Sequence, residues 1–95
     1  LVFGVAYKPG ISDTRESPVS DLVKELKARG AEVGWNDPLV ESWENTPQVG
    51  SEWSCDIAIL ATLQPGMELE SILNKNIPIL DCTNTLRNRP GVVSL

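Results

Sequence analysis

The sequence contains no histidine, and its two cysteines, Cys55 and Cys82, fit neither a C-x-x-C pair nor the spacing of a zinc finger. Without histidine, neither a Ser-His nor a Cys-His catalytic pair can form within this chain. We therefore expect no metal site. We also expect two reduced thiols, with a disulfide between them or a nucleophilic role for either thiol as the alternatives.

Long apolar runs and a surplus of positive charge are also missing. No run reaches the roughly 18 residues that a membrane span needs, and no signal-peptide pattern is present. The chain carries 13 acidic and 8 basic residues, a net charge of −5, which disfavours binding to nucleic acid or to an anionic membrane. We expect a cytoplasmic protein with neither kind of partner.

The length of 95 residues is enough for one domain with a modest core and too short for two. We therefore assign residues 1–95 to a single domain. The sequence has no initiating methionine and starts within a predicted strand, so we expect it to be a fragment of a larger protein.

The first part of the chain predicts a buried strand, a polar loop and an amphipathic helix. Residues 1–6 form an apolar run, and residues 7–16 follow as a loop rich in charged and hydrogen-bonding groups. Ser17 has the chemistry of a helix N-cap, Pro18 suits the first helical position, and Gly30 is the predicted stop. Apolar residues at helical spacing predict the buried face of this helix: Val19, Leu22, Val23 and Leu26.

A strand, a loop and a helix N-terminus in this order are typical of mononucleotide-binding βαβ units, because unpaired N–H groups and the helix dipole favour anions. The dinucleotide fingerprint G-x-G-x-x-G is absent. Only Gly4 and Gly10 are available, and Tyr7 and Lys8 lie between them. We therefore predict a phosphate-bearing ligand that is approached by side chains rather than by a bare glycine loop.

The rest of the chain alternates strands with helices. Apolar runs predict three further strands and a closing one, and a weaker helix lies between Met67 and Leu73, whereas residues 39–55 are predicted to be irregular. The predicted strands are residues 31–36, 56–62, 78–81 and 92–95. This pattern predicts an α/β fold, a Rossmann-like three-layer sandwich with a mostly parallel sheet.

Parallel strands would bring several polar residues to one edge of the sheet. Tyr7 and Lys8, Asp37, Thr62 and the segment 81–84 each follow the carboxyl end of a predicted strand. Asp37 has two interpretations, a turn-forming residue before Pro38 or an acid that hydrogen-bonds a ribose.

The segment from Gly4 to Gly10, followed by Asp13 to Pro18, resembles the G-x-A-[YF]-K-x … D-x-R-E-S-P segment of the UDP-glucose/GDP-mannose dehydrogenase family. In that family it opens the C-terminal domain, which binds the nucleotide sugar. The resemblance continues through Asp37, Asp56 and Asp81 and so covers nearly the whole chain.

The resemblance implies roles for individual residues. Tyr7 and Lys8 would contact the UDP-sugar, and Arg15 would reach the NAD that is bound by an N-terminal domain. Family members often carry D-x-R after the last core strand, but Thr83 stands at the arginine position here. We expect Arg87 to replace it, with Arg89 as the alternative, unless the diphosphate is bound more weakly or the substrate differs.

The resemblance also implies a function, that of the UDP-sugar-binding domain of an NAD-dependent UDP-sugar 6-dehydrogenase in polysaccharide biosynthesis. The substrate would be of the UDP-N-acetylhexosamine or UDP-glucose type, and the full-length enzyme would be a homo-oligomer. No catalytic residue is expected in this chain, and we predict that it is inactive alone. A non-catalytic nucleotide-binding or assembly module stays open, whereas a receiver-like signalling domain fits poorly because it needs clustered acids after the first strand.

Overall fold

The computed structural model describes residues 1–6, 10, 17–67, 69–86 and 90–94 of the chain. Five parallel strands form one sheet in the order β2-β1-β3-β4-β5, and two helices accompany it. The strands are β1 (Val2–Phe3), β2 (Trp35–Asn36), β3 (Ala58–Leu60), β4 (Ile79–Asp81) and β5 (Val92–Ser94), and the helices are α1 (Pro18–Ala28) and α2 (Leu69–Leu73). The predicted α/β Rossmann-like class is confirmed, and every strand pairing among the described residues is parallel.

The two helices cover opposite faces of the sheet. Val2 of β1 packs in one cluster with Val19 and Val23 of α1, whereas Phe3, the next residue, packs in a second cluster with Ile72 of α2. Successive residues of a strand point to opposite faces, so both sides of β1 are buried. This arrangement is the predicted three-layer sandwich.

Helix α1 begins and ends where the sequence predicts. The Ser17 hydroxyl oxygen accepts a hydrogen bond of 3.3 Å from the Val19 N–H, and Pro18 occupies the first helical position. At the other end, Gly30 adopts a φ of +92°, which residues with a side chain rarely adopt. Val19 and Val23 are buried, and the other two predicted apolar residues pack against the same cluster.

The strands are shorter than predicted, and β1 illustrates the reason. Gly4 has a φ of +85°, which takes the chain out of the extended conformation directly after Phe3. The N–H groups of Val5 and Ala6 then donate to the carboxylate of Asp37 instead of to a neighbouring strand. A side chain from the loop after β2 therefore ends the ladder of β1.

Residues 39–55 form neither a helix nor a strand, as predicted, but they are packed onto the sheet. The Trp43 ring is buried and meets the Trp35 ring edge to face at a centroid distance of 5.7 Å. Further along, the Val49 N–H donates to the Trp35 carbonyl (2.9 Å) and so covers the open edge of β2. Trp53 is half-buried and packs on the α2 face.

Neither described helix is long and apolar enough to pass through a lipid bilayer.

Candidate functional site

The candidate site lies at the carboxyl ends of β1 and β3. After β1 the chain leads to α1 on one face of the sheet, and after β3 it leads to α2 on the other face. In open parallel sheets this reversal leaves a crevice between the two strand ends, where ligands are generally bound. The polar residues that follow β1, β2 and β3 meet at this place.

Asp37, the first residue after β2, is the centre of this polar group and is fully buried. Its Oδ2 accepts from the Val5 N–H (2.9 Å) and the Ala6 N–H (3.4 Å), and its Oδ1 accepts from the Leu39 N–H (2.9 Å). The bond to Leu39 is the turn geometry expected of an aspartate before proline. Because the carboxylate is buried and bonded to backbone amides, the structure favours the turn interpretation of Asp37 over the ribose interpretation.

Gln64 joins the loop after β3 to this group. The side chain is buried, its Nε2 donates to Asp37 Oδ2 (3.1 Å), and its Oε1 accepts from the Gly10 N–H (2.7 Å). Our reading of the sequence missed Gln64, because a single glutamine between a strand and a Pro-Gly turn carries no recognisable signal. Its position two residues after Thr62, in the same loop at the predicted carboxyl edge, was the available hint.

Thr62 and Gly4 bring the ends of β1 and β3 close together. The Thr62 hydroxyl donates to the Ala6 carbonyl (3.1 Å), so Thr62 lies at the predicted edge but is bonded to the backbone. A Cβ added to Gly4 would collide with the carbonyl oxygen of Thr62. Only glycine permits both this approach and the positive φ at position 4.

Asp81 organises the neighbouring loop after β4. Its Oδ1 accepts from the Thr83 N–H (2.8 Å) and the Thr83 hydroxyl (2.6 Å), and its Oδ2 accepts from the N–H groups of Thr85 and Leu86 (2.8 Å each). Burial raises the pKa of Asp81, but the hydrogen bonds from Thr83, Leu86 and Thr85 together outweigh it, so the pKa lies below its ordinary value. Thr83, at the position of the family arginine, is therefore a partner of this carboxylate.

Cys82 follows Asp81 and is exposed. Partial burial of the thiol and, secondly, the negative charge of Asp81 raise the pKa of Cys82. A raised pKa keeps the group in its unreactive thiol form at neutral pH. The environment of Cys82 is thus the opposite of that of a nucleophilic cysteine.

A cavity of about 220 Å³ opens beside the polar group, on the α2 face of the sheet. Its apolar floor includes Phe3 and Ile72, and Asn36 and Ser51 contribute polar atoms to the wall. Gly66, in the loop after β3, also lines it. The cavity adjoins the ends of β1 and β2 and the loop after β3, so it belongs to the same carboxyl-end crevice.

The residues to which the family resemblance assigns ligand contacts fall outside the described residues. This applies to Tyr7, Lys8, Arg15 and Arg87, and also to Arg89. Their predicted roles stay predictions. The structure does describe Ala6 and Gly10, the residues on either side of positions 7–9, and the hydrogen bonds that hold them.

The described residues do not fit a dinucleotide cofactor. The chain has no G-x-G-x-x-G turn, and the acid at the end of β2, Asp37, is buried and bonded within the protein. Within the part of the chain that the structure describes, no three His, Cys, Asp or Glu side chains group in a way that could hold a metal ion.

The chain is similar to a known protein family over nearly all of its length. A family model described as "UDP-glucose/GDP-mannose dehydrogenase family, UDP binding domain" matches residues 1–88. Two relatives, both UDP-N-acetyl-D-mannosamine dehydrogenases of Methanococcus maripaludis (strain C7 and strain S2), are each 42% identical over 43 residues. The aligned part is 45% of this chain but only 10% of each relative's length. No solved structure gives a significant match.

Proposed function

Since this chain belongs to the UDP-glucose/GDP-mannose dehydrogenase family through its UDP-binding domain, we propose that residues 1–95 are the domain that binds the UDP-sugar in an NAD-dependent UDP-sugar 6-dehydrogenase. The full enzyme would oxidise the C6 alcohol of the sugar to a carboxylate. The match of the family model over residues 1–88 carries the proposal. The carboxyl-end crevice supports it, because this is where a doubly wound sheet accepts a nucleotide.

The distribution of charge supports a role for Lys8. A diphosphate at the carboxyl edge needs positive charge nearby, but the edge itself is built around the carboxylates of Asp37 and Asp81. Four of the eight Lys and Arg residues are described by the structure, and these four lie on a helix or within two residues of its end: Lys24, Lys27, Arg29 and Lys75. The other four belong to segments 7–16 and 87–89, which include the predicted contacts Lys8, Arg15 and Arg87.

In this proposal, different side chains of this chain bind different parts of the ligands. The Lys8 ammonium and the Arg87 guanidinium bind oxygen atoms of the diphosphate, and the Tyr7 ring contacts the base or the ribose. Arg15 reaches toward NAD, which accepts the electrons of the oxidation and is bound by the N-terminal domain of the same enzyme. The catalytic groups are likewise supplied outside this chain, in the homo-oligomeric, cytoplasmic enzyme of polysaccharide biosynthesis.

The two relatives favour one substrate type. Both are named as dehydrogenases of UDP-N-acetyl-D-mannosamine. We therefore place UDP-N-acetylhexosamines ahead of UDP-glucose as the substrate of the full enzyme.

Calorimetric titration of the 95-residue chain with UDP tests the proposal. We expect saturable binding that Lys8→Ala weakens about 10- to 100-fold, because a hydrogen bond to a charged group contributes roughly 1.5–3 kcal/mol. Lys24→Ala is the matched control, since Lys24 is an exposed lysine on α1.

Absence of any heat with UDP would contradict the proposal and favour a non-catalytic assembly module. Equal affinities of the two lysine variants would contradict the role of Lys8. The same chain mixed with NAD and a UDP-sugar should form no NADH. Formation of NADH would show that catalytic groups are present in this chain after all.

A further inference from the structure

The side chain of Gln64 connects two segments that are far apart in sequence. Its Oε1 accepts from the Gly10 N–H (2.7 Å), and its Nε2 donates to Asp37 Oδ2 (3.1 Å). The residue is buried, so the oxygen and the nitrogen of its amide form these hydrogen bonds out of contact with bulk water. A buried amide is costly unless it is hydrogen-bonded, which makes this orientation of the side chain strongly preferred.

Asp37 links Gln64 to Val5 and Ala6, the residues that precede positions 7–9. The Oδ2 atom that accepts from Gln64 also accepts from the N–H groups of Val5 (2.9 Å) and Ala6 (3.4 Å). One pair of side chains, Asp37 and Gln64, therefore holds the backbone on both sides of residues 7–9. The bonds to Ala6 and to Gly10 bracket the positions of Tyr7 and Lys8.

Among the described residues, the contact that holds Gly10 is this hydrogen bond. The residue is exposed, and a Cβ added to it would have no heavy atom within 4 Å. Its φ of +83° is a conformation that glycine adopts without cost but does not by itself enforce. The 2.7 Å bond to Gln64 is thus the described contact that fixes where Gly10 lies.

We propose that Gln64 is a positioning residue for UDP-sugar binding, which acts through the Gly10 N–H and the Asp37 carboxylate and not through the ligand. The inference rests on the proposed function, in which Tyr7 and Lys8 contact the ligand. Binding is tighter when the contacting groups are already placed, because less conformational entropy is lost on association. Removal of the Gln64 amide releases Gly10 and leaves Asp37 with one donor fewer.

A double-mutant cycle on the 95-residue chain tests this, with UDP as the ligand and calorimetry as the readout. Gln64→Met keeps the length of the side chain and removes the described hydrogen bonds to Gly10 and to Asp37. We expect it to weaken UDP binding about tenfold in the wild-type background, but less than about twofold in the Lys8→Ala background, because a positioning residue loses its effect when the positioned group is gone.

Gln48→Met is the matched control. Gln48 also bonds to Asp37, since its Oε1 accepts from the Asp37 N–H (3.2 Å), but its other bond goes to the Val40 carbonyl and not to Gly10. We expect this variant to bind UDP within about twofold of wild type. If circular dichroism shows that Gln64→Met is unfolded, Gln64→Asn replaces it, because asparagine keeps an amide without adding a charge beside Asp37 but is one methylene too short to keep both the Gly10 and the Asp37 bond.

The outcomes separate this inference from the function on which it rests. If wild type fails to bind UDP, the proposed function is wrong. If wild type binds and Lys8→Ala weakens binding, the function stands. In that case a Gln64 variant with unchanged affinity, or with the same loss in both backgrounds, overturns the positioning role alone.

Discussion

Substitution of Asp81 by asparagine tests how much a buried carboxylate at the carboxyl edge stabilises the fold. Asp81 accepts two hydrogen bonds from Thr83 at Oδ1 and one each from the N–H groups of Thr85 and Leu86 at Oδ2. Asparagine has nearly the same shape, so Asp81→Asn creates no cavity. Its single oxygen can keep the bonds to Thr83, but its NH2 group then faces two N–H donors.

The expected loss follows from those two bonds. A hydrogen bond to a charged group contributes roughly 1.5–3 kcal/mol. Leu86 is buried, so its N–H loses its partner in full, whereas Thr85 is exposed and its N–H can turn to water. We expect the free energy of unfolding to fall by about 3 kcal/mol, a large part of the ~5–15 kcal/mol typical of a domain. The melting temperature should fall by roughly 12–24 °C, at about 4–8 °C per kcal/mol for a domain of this size.

The loss of stability caused by Asp81→Asn should be larger at neutral pH than at acidic pH. The folded pKa of Asp81 lies below its ordinary value, so the unfolded chain binds this proton more readily than the folded chain. The carboxylate therefore stabilises the fold fully above its unfolded pKa, and this contribution is lost as pH falls through the folded pKa. The difference between wild type and Asp81→Asn should be largest above about pH 5 and should shrink below about pH 4.

Chemical denaturation followed by tryptophan fluorescence, at several pH values, measures both effects. Asp56→Asn is the matched control, because Asp56 is exposed, and it should unfold within about 0.5 kcal/mol of wild type. If Asp81→Asn is as stable as Asp56→Asn at pH 7, the hydrogen bonds at Asp81 do not hold this loop. A difference that stays constant between pH 7 and pH 3 would refute the pKa argument.

Two further predictions concern the close strand ends and the exposed thiol. Gly4→Ala should destabilise the chain by more than about 3 kcal/mol, because its Cβ meets the Thr62 carbonyl in addition to the strain of a positive φ. Gly30→Ala is the control, because Gly30 also has a positive φ but has open space where a Cβ would lie, and it should cost only about 1–2 kcal/mol. If thermal unfolding shows that the two variants lose the same stability, the close approach to Thr62 is not the cause. In a Cys55→Ala background, the labelling rate of Cys82 with a disulfide reagent should reach half of its maximum at a higher pH in the folded chain than in the urea-unfolded chain, since the fold raises its pKa. Equal midpoints in the two states would contradict the raised pKa.

The local elements of this protein are determined by neighbouring residues and were predictable. Helix α1 is specified by Ser17, Pro18 and Gly30 together with apolar residues at helical spacing, all within a short stretch of chain. The alternation of strands and helices predicted the three-layer sandwich, because parallel strands need crossovers that cover the sheet. The family was likewise recognisable from the motif between Gly4 and Pro18, and the match over residues 1–88 confirms it.

The polar edge was only partly predictable. Asp37, Thr62 and Asp81 were placed there correctly, because each follows the carboxyl end of a strand. Their partners were not predicted. The ligand contacts assigned to Tyr7, Lys8, Arg15 and Arg87 stay predictions, since they lie outside the described residues.

The sequence by itself determined which segments become strands and helices, since these depend on side chains a few positions apart. Only the tertiary structure decided the strand order β2-β1-β3-β4-β5 and the connection of Gly10 to Asp37 through Gln64. Those contacts join residues separated by 54 and 27 positions, so they form only when the sheet has brought three loops together. A buried amide takes its role from the donors and acceptors that surround it in space, and a linear sequence does not show which those are.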